Sequence, residues 1–142
     1  MFKTVMLIIL SILLVIGCMI LNFKEFLMGS PATINNLFVT FTYIIIWILI
    51  SIISIRMKNP ILLKYCTFFW FITLLLGILI AFTNATGIPV SWALLLAVLL
   101  LGQWNGLGYF HISHLTMSVI ISTISLGMFL AAFLSIKKVK KV

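Results

Sequence analysis

Two histidines lie close together in the stretch GQWNGLGYFHISHL, which covers residues 102–115. His111 and His114 are three residues apart, a spacing that places both imidazoles on one face of a helix. Imidazole can bind a metal, carry a proton or hydrogen-bond a ligand. With the neighbouring Trp104 and Asn105, the two histidines form a candidate polar ligand-binding mouth.

Metal and haem chemistry is poorly supported by the residue types. A zinc site needs three or four ligands, and the chain offers two His, two Cys and one acid, Glu25. Two histidines on one helical face cannot bind opposite faces of a single haem. The side chains of His111, His114 and Met117 would spread over too wide an arc around a helix to bind one copper ion together. We therefore predict no metal and no cofactor.

Nucleophilic catalysis is the remaining chemistry to consider. His114 and Ser118 are one helical turn apart, so a hydrogen bond between them is feasible. No acid orients the imidazole, and a serine inside a helix commonly bonds to its own backbone. The apolar segments also lack the ionisable side chains that proton-coupled transporters use. We predict a protein that is not an enzyme.

Composition identifies the class of protein that must position these residues. Of the 142 residues 65% are hydrophobic and 7% charged, and the mean hydropathy is +1.41. A soluble domain is about 45–50% apolar and about 25% charged. The sequence predicts one integral membrane domain over residues 1–142, built as an all-α polytopic transmembrane helical bundle.

Four hydrophobic segments are long enough to cross a bilayer, which requires about 20 residues. They cover residues 4–21, 37–55, 65–82 and 115–136. A fifth segment, residues 90–101, is short, so we expect a re-entrant helix there, with a fifth span as the alternative.

Charge favours four spans. With four, eight of the nine basic residues lie on the side of the two chain ends, and only Lys24 lies opposite. With five, the basic residues divide five against four. Because short cytoplasmic loops are enriched in Lys and Arg, we predict a multi-pass cell-membrane protein with a cytoplasmic C-terminus. The Ile, Lys and Asn usage suggests a bacterial source.

The net charge of +8 does not indicate a nucleic-acid-binding protein, because the basic residues lie at the borders of apolar segments.

The N-terminal VIGC could be a lipoprotein signal with Cys18 as the lipidated residue. The chain continues after Cys18 as apolar MILNF, so an uncleaved first span is the favoured interpretation.

Polar and small residues recur at helical spacing within three segments. One stripe follows the second span, one follows the third, and one begins at the histidines and follows the last. The stripes are Thr40, Tyr43, Trp47, Ser51 and Ser54; Thr73, Gly77 and Ala81; and His111, His114, Ser118, Ser122 and Ser125. We interpret them as helix-packing surfaces, with a polar cavity lining as the alternative.

Two functions follow from these patterns. The favoured hypothesis is a non-enzymatic accessory, assembly or immunity-type membrane component. It would contact another membrane protein, or a second copy of itself, through the Thr73/Gly77/Ala81 ridge and the serine face of the last span. The alternative is a membrane binding or transport module with an extracytoplasmic mouth near His111 and His114. The expected partners are therefore the lipid bilayer and a membrane protein, and no nucleic acid.

Overall fold

The computed structural model describes residues 2–139, and this part of the chain is helical without β-strands. Its five α-helices are α1 (Phe2–Met28), α2 (Ile34–Arg56), α3 (Pro60–Thr86), α4 (Leu94–Leu101) and α5 (His114–Val139). Two 3₁₀ segments, Ser91–Ala93 and Gly102–Phe110, flank α4. Helices α1, α2, α3 and α5 are long and apolar enough to cross a membrane. The predicted all-α membrane bundle is confirmed.

Local sequence signals set the helix ends. Thr33 caps α2: its hydroxyl accepts from the backbone N–H of Asn36, while the Asn36 side chain accepts from the Thr33 backbone. Asn59 caps α3, with Pro60 as the first helical residue, where its missing N–H costs nothing. Gly87 ends α3 in the left-handed conformation, with φ of 73°.

The four long helices extend beyond the apolar segments from which they were predicted. The largest extension is at the end of α1, whose helix continues to Met28 and includes Lys24 and Glu25. This extension, NFKEFLM, places polar and charged residues between apolar ones, and the α-helix continues through all of them. The charged residues at this end therefore have positions fixed by α1.

Helices α3 and α5 pack antiparallel along their whole length. The Phe71 and Phe129 rings lie 5.6 Å apart, Gly77 lies against Ser122, and the Asn84 side chain donates to the Ser118 hydroxyl. As the residue number rises along α3, that of its neighbour on α5 falls. The chain between them, including α4, therefore leaves and re-enters the bundle at the same end, as a re-entrant segment does.

The bundle has two chemically different ends. At one, called here the basic end, the side chain of Asn59 donates to Thr4 at 2.6 Å, and Lys64 and Lys137 lie near the ends of their helices. At the other, called the re-entrant end, α1 ends, α2 begins and the chain turns between α3 and α5.

An aromatic cluster fills the centre between α2, α3 and the second 3₁₀ segment. The Trp47 ring stacks on Phe69 at 4.1 Å and meets Trp70 edge-on at 5.4 Å. Tyr43 contacts Trp104 at 5.7 Å. The predicted stripe on α2 faces this interior, since all five of its residues are buried. The aromatic cluster thus connects α2 and α3 to the second 3₁₀ segment.

Candidate functional site

The re-entrant segment comprises α4 and the Gly102–Phe110 3₁₀ segment. Helix α4 has eight residues and so covers roughly 12 Å, too little to span a bilayer. The nine-residue 3₁₀ segment is long for a 3₁₀ helix, which rarely exceeds four residues. Irregular backbone at membrane depth requires partners from the surrounding protein, and these partners define the site.

Helices α1 and α2 supply those partners to the backbone. The Asn22 side-chain amide donates to the carbonyl oxygens of Gly102 and Gln103, both at 3.2 Å. The Thr40 hydroxyl donates to the same Gln103 carbonyl at 2.6 Å and accepts from the Gly106 N–H at 3.0 Å. Two spans thus hold the same turn of the re-entrant segment, and both donate to the Gln103 carbonyl.

The Gln103 side chain adds a contact with the middle of α1. It is fully buried, and its amide nitrogen donates to the carbonyls of Val15 at 3.1 Å and Leu99 at 2.6 Å. Val15 is about halfway along α1, so the segment reaches deep into the bundle.

Asn36 connects this network to the single acid of the chain. Its side-chain amide donates to the Asn22 side-chain oxygen at 3.0 Å and to a Glu25 carboxylate oxygen at 3.4 Å. We call the connected residues the anchor network. Its members are Asn22, Asn36, Thr40, Gln103 and Gly106.

Gly106 is required at its position by close backbone contact. A Cβ atom there would overlap the Asn36 backbone carbonyl and lie 2.5 Å from the Thr40 hydroxyl oxygen. Any other residue would push the 3₁₀ segment away from α2. The absence of a side chain is therefore part of the anchor.

A cavity of about 250 Å³ lies at the re-entrant end, between the re-entrant segment, α1, α3 and α5. Its wall combines a polar and an apolar set of side chains, together with Gly29. The polar residues are Glu25, Ser30, Asn84, Asn105, His114 and Ser118; the apolar ones are Phe26, Ile80, Ala97, Leu101, Met117 and Ile121. Such a mixture can bind a ligand that has a polar group and a short apolar part.

Three polar side chains of the cavity wall carry different functional groups. Glu25 is half-buried and is the single acid in the chain. Asn105 has a buried side-chain nitrogen with no hydrogen-bond partner among the described residues. His114 is exposed and begins α5. A carboxylate, an amide donor and an imidazole therefore surround one small volume.

Of the four residues predicted to form a ligand-binding mouth, two line the cavity and two lie elsewhere. Asn105 and His114 line the cavity. Trp104 is fully buried against Tyr43, because its ring completes the aromatic core rather than lining the cavity. His111 follows the 3₁₀ segment in the left-handed conformation, with φ of 53°, and is exposed outside the cavity wall. Helix α5 begins three residues later, so His111 does not belong to its stripe.

The predicted packing residues lie between α3 and α5. A Cβ on Gly77 would lie 2.7 Å from the Ser122 hydroxyl oxygen. Hydroxyls on both helices bond to their own backbone, as Thr73 does to Phe69 and Ser122 to Ser118. Ala81 is half-buried, while Thr73, Ser118 and Ser125 are buried. The ridge and the serine face are thus covered by the chain itself.

The geometry around Ser118 bears on nucleophilic and metal chemistry. Its hydroxyl donates to the His114 backbone carbonyl at 2.8 Å and accepts from the Asn84 amide at 3.1 Å. The hydroxyl proton therefore points to backbone and not to the imidazole. Among residues 2–139, no group of three or more His, Cys, Asp or Glu side chains could hold a metal ion.

Sequence reasoning missed four of the residues that build this site. Asn22, Asn36, Gln103 and Glu25 were not singled out as site residues, although each is polar or charged within or beside an apolar segment. Buried polar residues in membrane helices commonly face the bundle interior, and that signal could have identified Asn22 and Asn36.

Comparisons with protein-family models, curated proteins and solved structures find no match.

Proposed function

We propose that this chain is a non-enzymatic membrane protein that binds a small amphiphilic ligand in the cavity at the re-entrant end. The observation that supports this proposal is the meeting of Glu25, Asn105 and His114 around one volume. These residues come from α1, the re-entrant segment and α5. The anchor network holds the re-entrant segment where Asn105 can face the other two.

The wall indicates the chemistry of the ligand. Glu25 attracts a positive charge, and it is the single side-chain carboxylate available. Leu101, Met117 and Ile121 offer apolar surface beside it. An ammonium group with a short hydrocarbon chain satisfies both halves of the wall, so we propose alkylammonium compounds as the ligand class.

The distribution of basic residues supports an orientation for this site. Loops enriched in Lys and Arg remain in the cytoplasm, which places the basic end there in the proposed topology. The cavity then opens on the extracytoplasmic side of the cell membrane. A ligand would reach it from outside the cell or from the outer leaflet.

An accessory or assembly role remains a second proposal, but the surface that contacts the partner would differ from the one predicted from the sequence. Gly77 and Ser122 face each other within the chain, so a partner has no access to the ridge on which that role was based. A partner would instead contact the outward faces of the spans. Replacing Gly77 by Ile would then disturb the fold first and association second.

Thermal unfolding of the purified protein in detergent tests the binding proposal. Hexylamine is the probe, and hexanol, which has the same chain and no charge, is the matched ligand control. We expect hexylamine to raise the Tm of the wild type in a saturable manner. Glu25→Gln should abolish that rise, because it removes the charge and keeps the shape of the side chain.

The two histidines provide matched protein controls. His114→Ala should weaken the hexylamine effect because His114 lines the cavity, whereas His111→Ala should leave it unchanged. Equal responses to hexylamine and hexanol would contradict the proposal. So would a hexylamine effect that survives Glu25→Gln.

A further inference from the structure

A second cavity lies at the basic end, between the end of α2 and the end of α5. Its volume is about 510 Å³, and its wall is formed by Ile55, Lys58, Ser135, Lys138 and Val139. Two lysines and two branched apolar residues therefore line one space. The composition is opposite in charge to that of the cavity at the re-entrant end.

Backbone geometry places one of the lysines. Lys58 follows the end of α2 in the left-handed conformation, with φ of 49°, and its N–H donates to the Ile55 carbonyl at 3.1 Å. Few residues other than glycine adopt this conformation freely. The turn between α2 and α3 thus holds Lys58 beside the last turns of α5, where Lys138 lies.

These two lysines have no acidic side chain near them. Glu25 is the single Asp or Glu in the chain, and it lies at the other end of α1, roughly 30 Å from Thr4 at the basic end. Two positive charges that line one space repel each other, and an anion between them removes that repulsion. Both lysines are exposed, so an anion at the membrane surface can reach the space between them.

The neighbouring Lys137 shows the contrast. Its ammonium group lies 4.6 Å from the centroid of the Phe133 ring, which provides a cation–π contact, and Lys137 does not line the cavity. Two adjacent lysines on α5 thus differ in surroundings. One has a partner within its own helix, and the other faces the cavity with Lys58.

We propose that this cavity binds the phosphate group of an anionic phospholipid, with Lys58 and Lys138 contacting the phosphate. Basic pockets between spans bind such headgroups at the cytoplasmic leaflet. Ile55 and Val139 supply apolar surface for the lipid beside the phosphate. The site is separate from the proposed ligand cavity and does not depend on it.

Native mass spectrometry of the full-length protein in a neutral detergent tests this site. Phosphatidylglycerol is the probe, and phosphatidylcholine with the same acyl chains is the zwitterionic control. We expect saturable binding of phosphatidylglycerol that is about fivefold weaker in Lys58→Gln and in Lys138→Gln. Lys137→Gln removes the same charge from the same helix and should leave the specific binding unchanged.

Two results would overturn the proposal. Equal weakening in Lys137→Gln and Lys138→Gln would mean that general surface charge attracts the lipid. Displacement of phosphatidylglycerol by millimolar inorganic phosphate would identify free phosphate as the ligand instead of a lipid headgroup. Retained lipid binding in excess phosphate, together with the difference between the two α5 variants, supports the lipid site.

Discussion

The α3–α5 interface and the anchor of the re-entrant segment join helices by different means. Between α3 and α5, small residues allow close approach, and most hydroxyls satisfy their own helix backbone, as Thr73 and Ser122 do. In the anchor, side chains such as Asn22 and Thr40 donate to the backbone of a segment that is about 60 to 80 residues away.

This difference reflects what each partner needs. A regular helix satisfies its own backbone, so α5 requires only a surface of matching shape. The 3₁₀ segment carries carbonyls that need outside donors, and in a membrane these must come from protein. We therefore expect changes in the anchor to be more destabilising than changes between α3 and α5.

The largest effect should come from Gly106→Ala. The new methyl group would overlap the Asn36 carbonyl, and backbone atoms cannot move away cheaply. We expect a loss of about 3 kcal/mol in the free energy of unfolding, measured in mixed micelles of mild detergent and SDS.

Gly108→Ala is the control for this prediction within the same 3₁₀ segment. A Cβ at position 108 would lie 3.4 Å from the nearest atom, the Ala32 Cβ, which is an ordinary contact. This variant should retain nearly all of the stability. Similar losses for the two variants would mean that the segment is merely sensitive to helix geometry and that the close contact at Gly106 does not matter.

A smaller effect is expected from Gly77→Ala between α3 and α5. The new Cβ would meet a hydroxyl oxygen of Ser122, which can rotate or shift, so the loss should be about 1 kcal/mol. Adding Ser122→Ala removes the obstructing oxygen and should recover most of that loss. Additive losses in the double variant would show that the two positions do not touch.

The smallest effect is expected from Ser125→Ala. The Ser125 hydroxyl oxygen is buried without a hydrogen-bond partner among the described residues, so its removal leaves no other group unpaired. The free energy of unfolding should stay the same or rise by at most about 0.5 kcal/mol. Ser118→Ala, which deletes the bond to Asn84, should lower it by about 0.6 kcal/mol. The reverse order would contradict the assigned hydrogen bonds.

The sequence predicted the parts of the fold that depend on local pattern. Hydropathy identified the four spans, and the short length of residues 90–101 indicated a segment that does not cross. Spacing on α3 and α5 selected small residues and hydroxyls such as Gly77 and Ser122, which lie between these helices. Each of these features is set by residues within one or two turns of a helix.

The parts that sequence analysis missed depend on contacts distant in the chain. Asn22 and Gln103 meet across 81 positions, and neither residue contains information about the other. Trp104 was predicted to line the ligand-binding mouth, but its ring is fully buried in the aromatic core. His111 was assigned to the last helix because its spacing fitted, whereas His111 itself adopts the left-handed conformation and α5 begins three residues later.

Labelling of single cysteines at positions 86 and 111 tests the central claim most directly, because these positions flank the re-entrant segment. Thr86→Cys and His111→Cys would be made in a background in which the buried Cys18 and Cys66 are replaced by serine and alanine. A membrane-impermeant maleimide should label both positions from the same side of intact cells or vesicles. Labelling from opposite sides would mean that the segment crosses the membrane and would contradict the account.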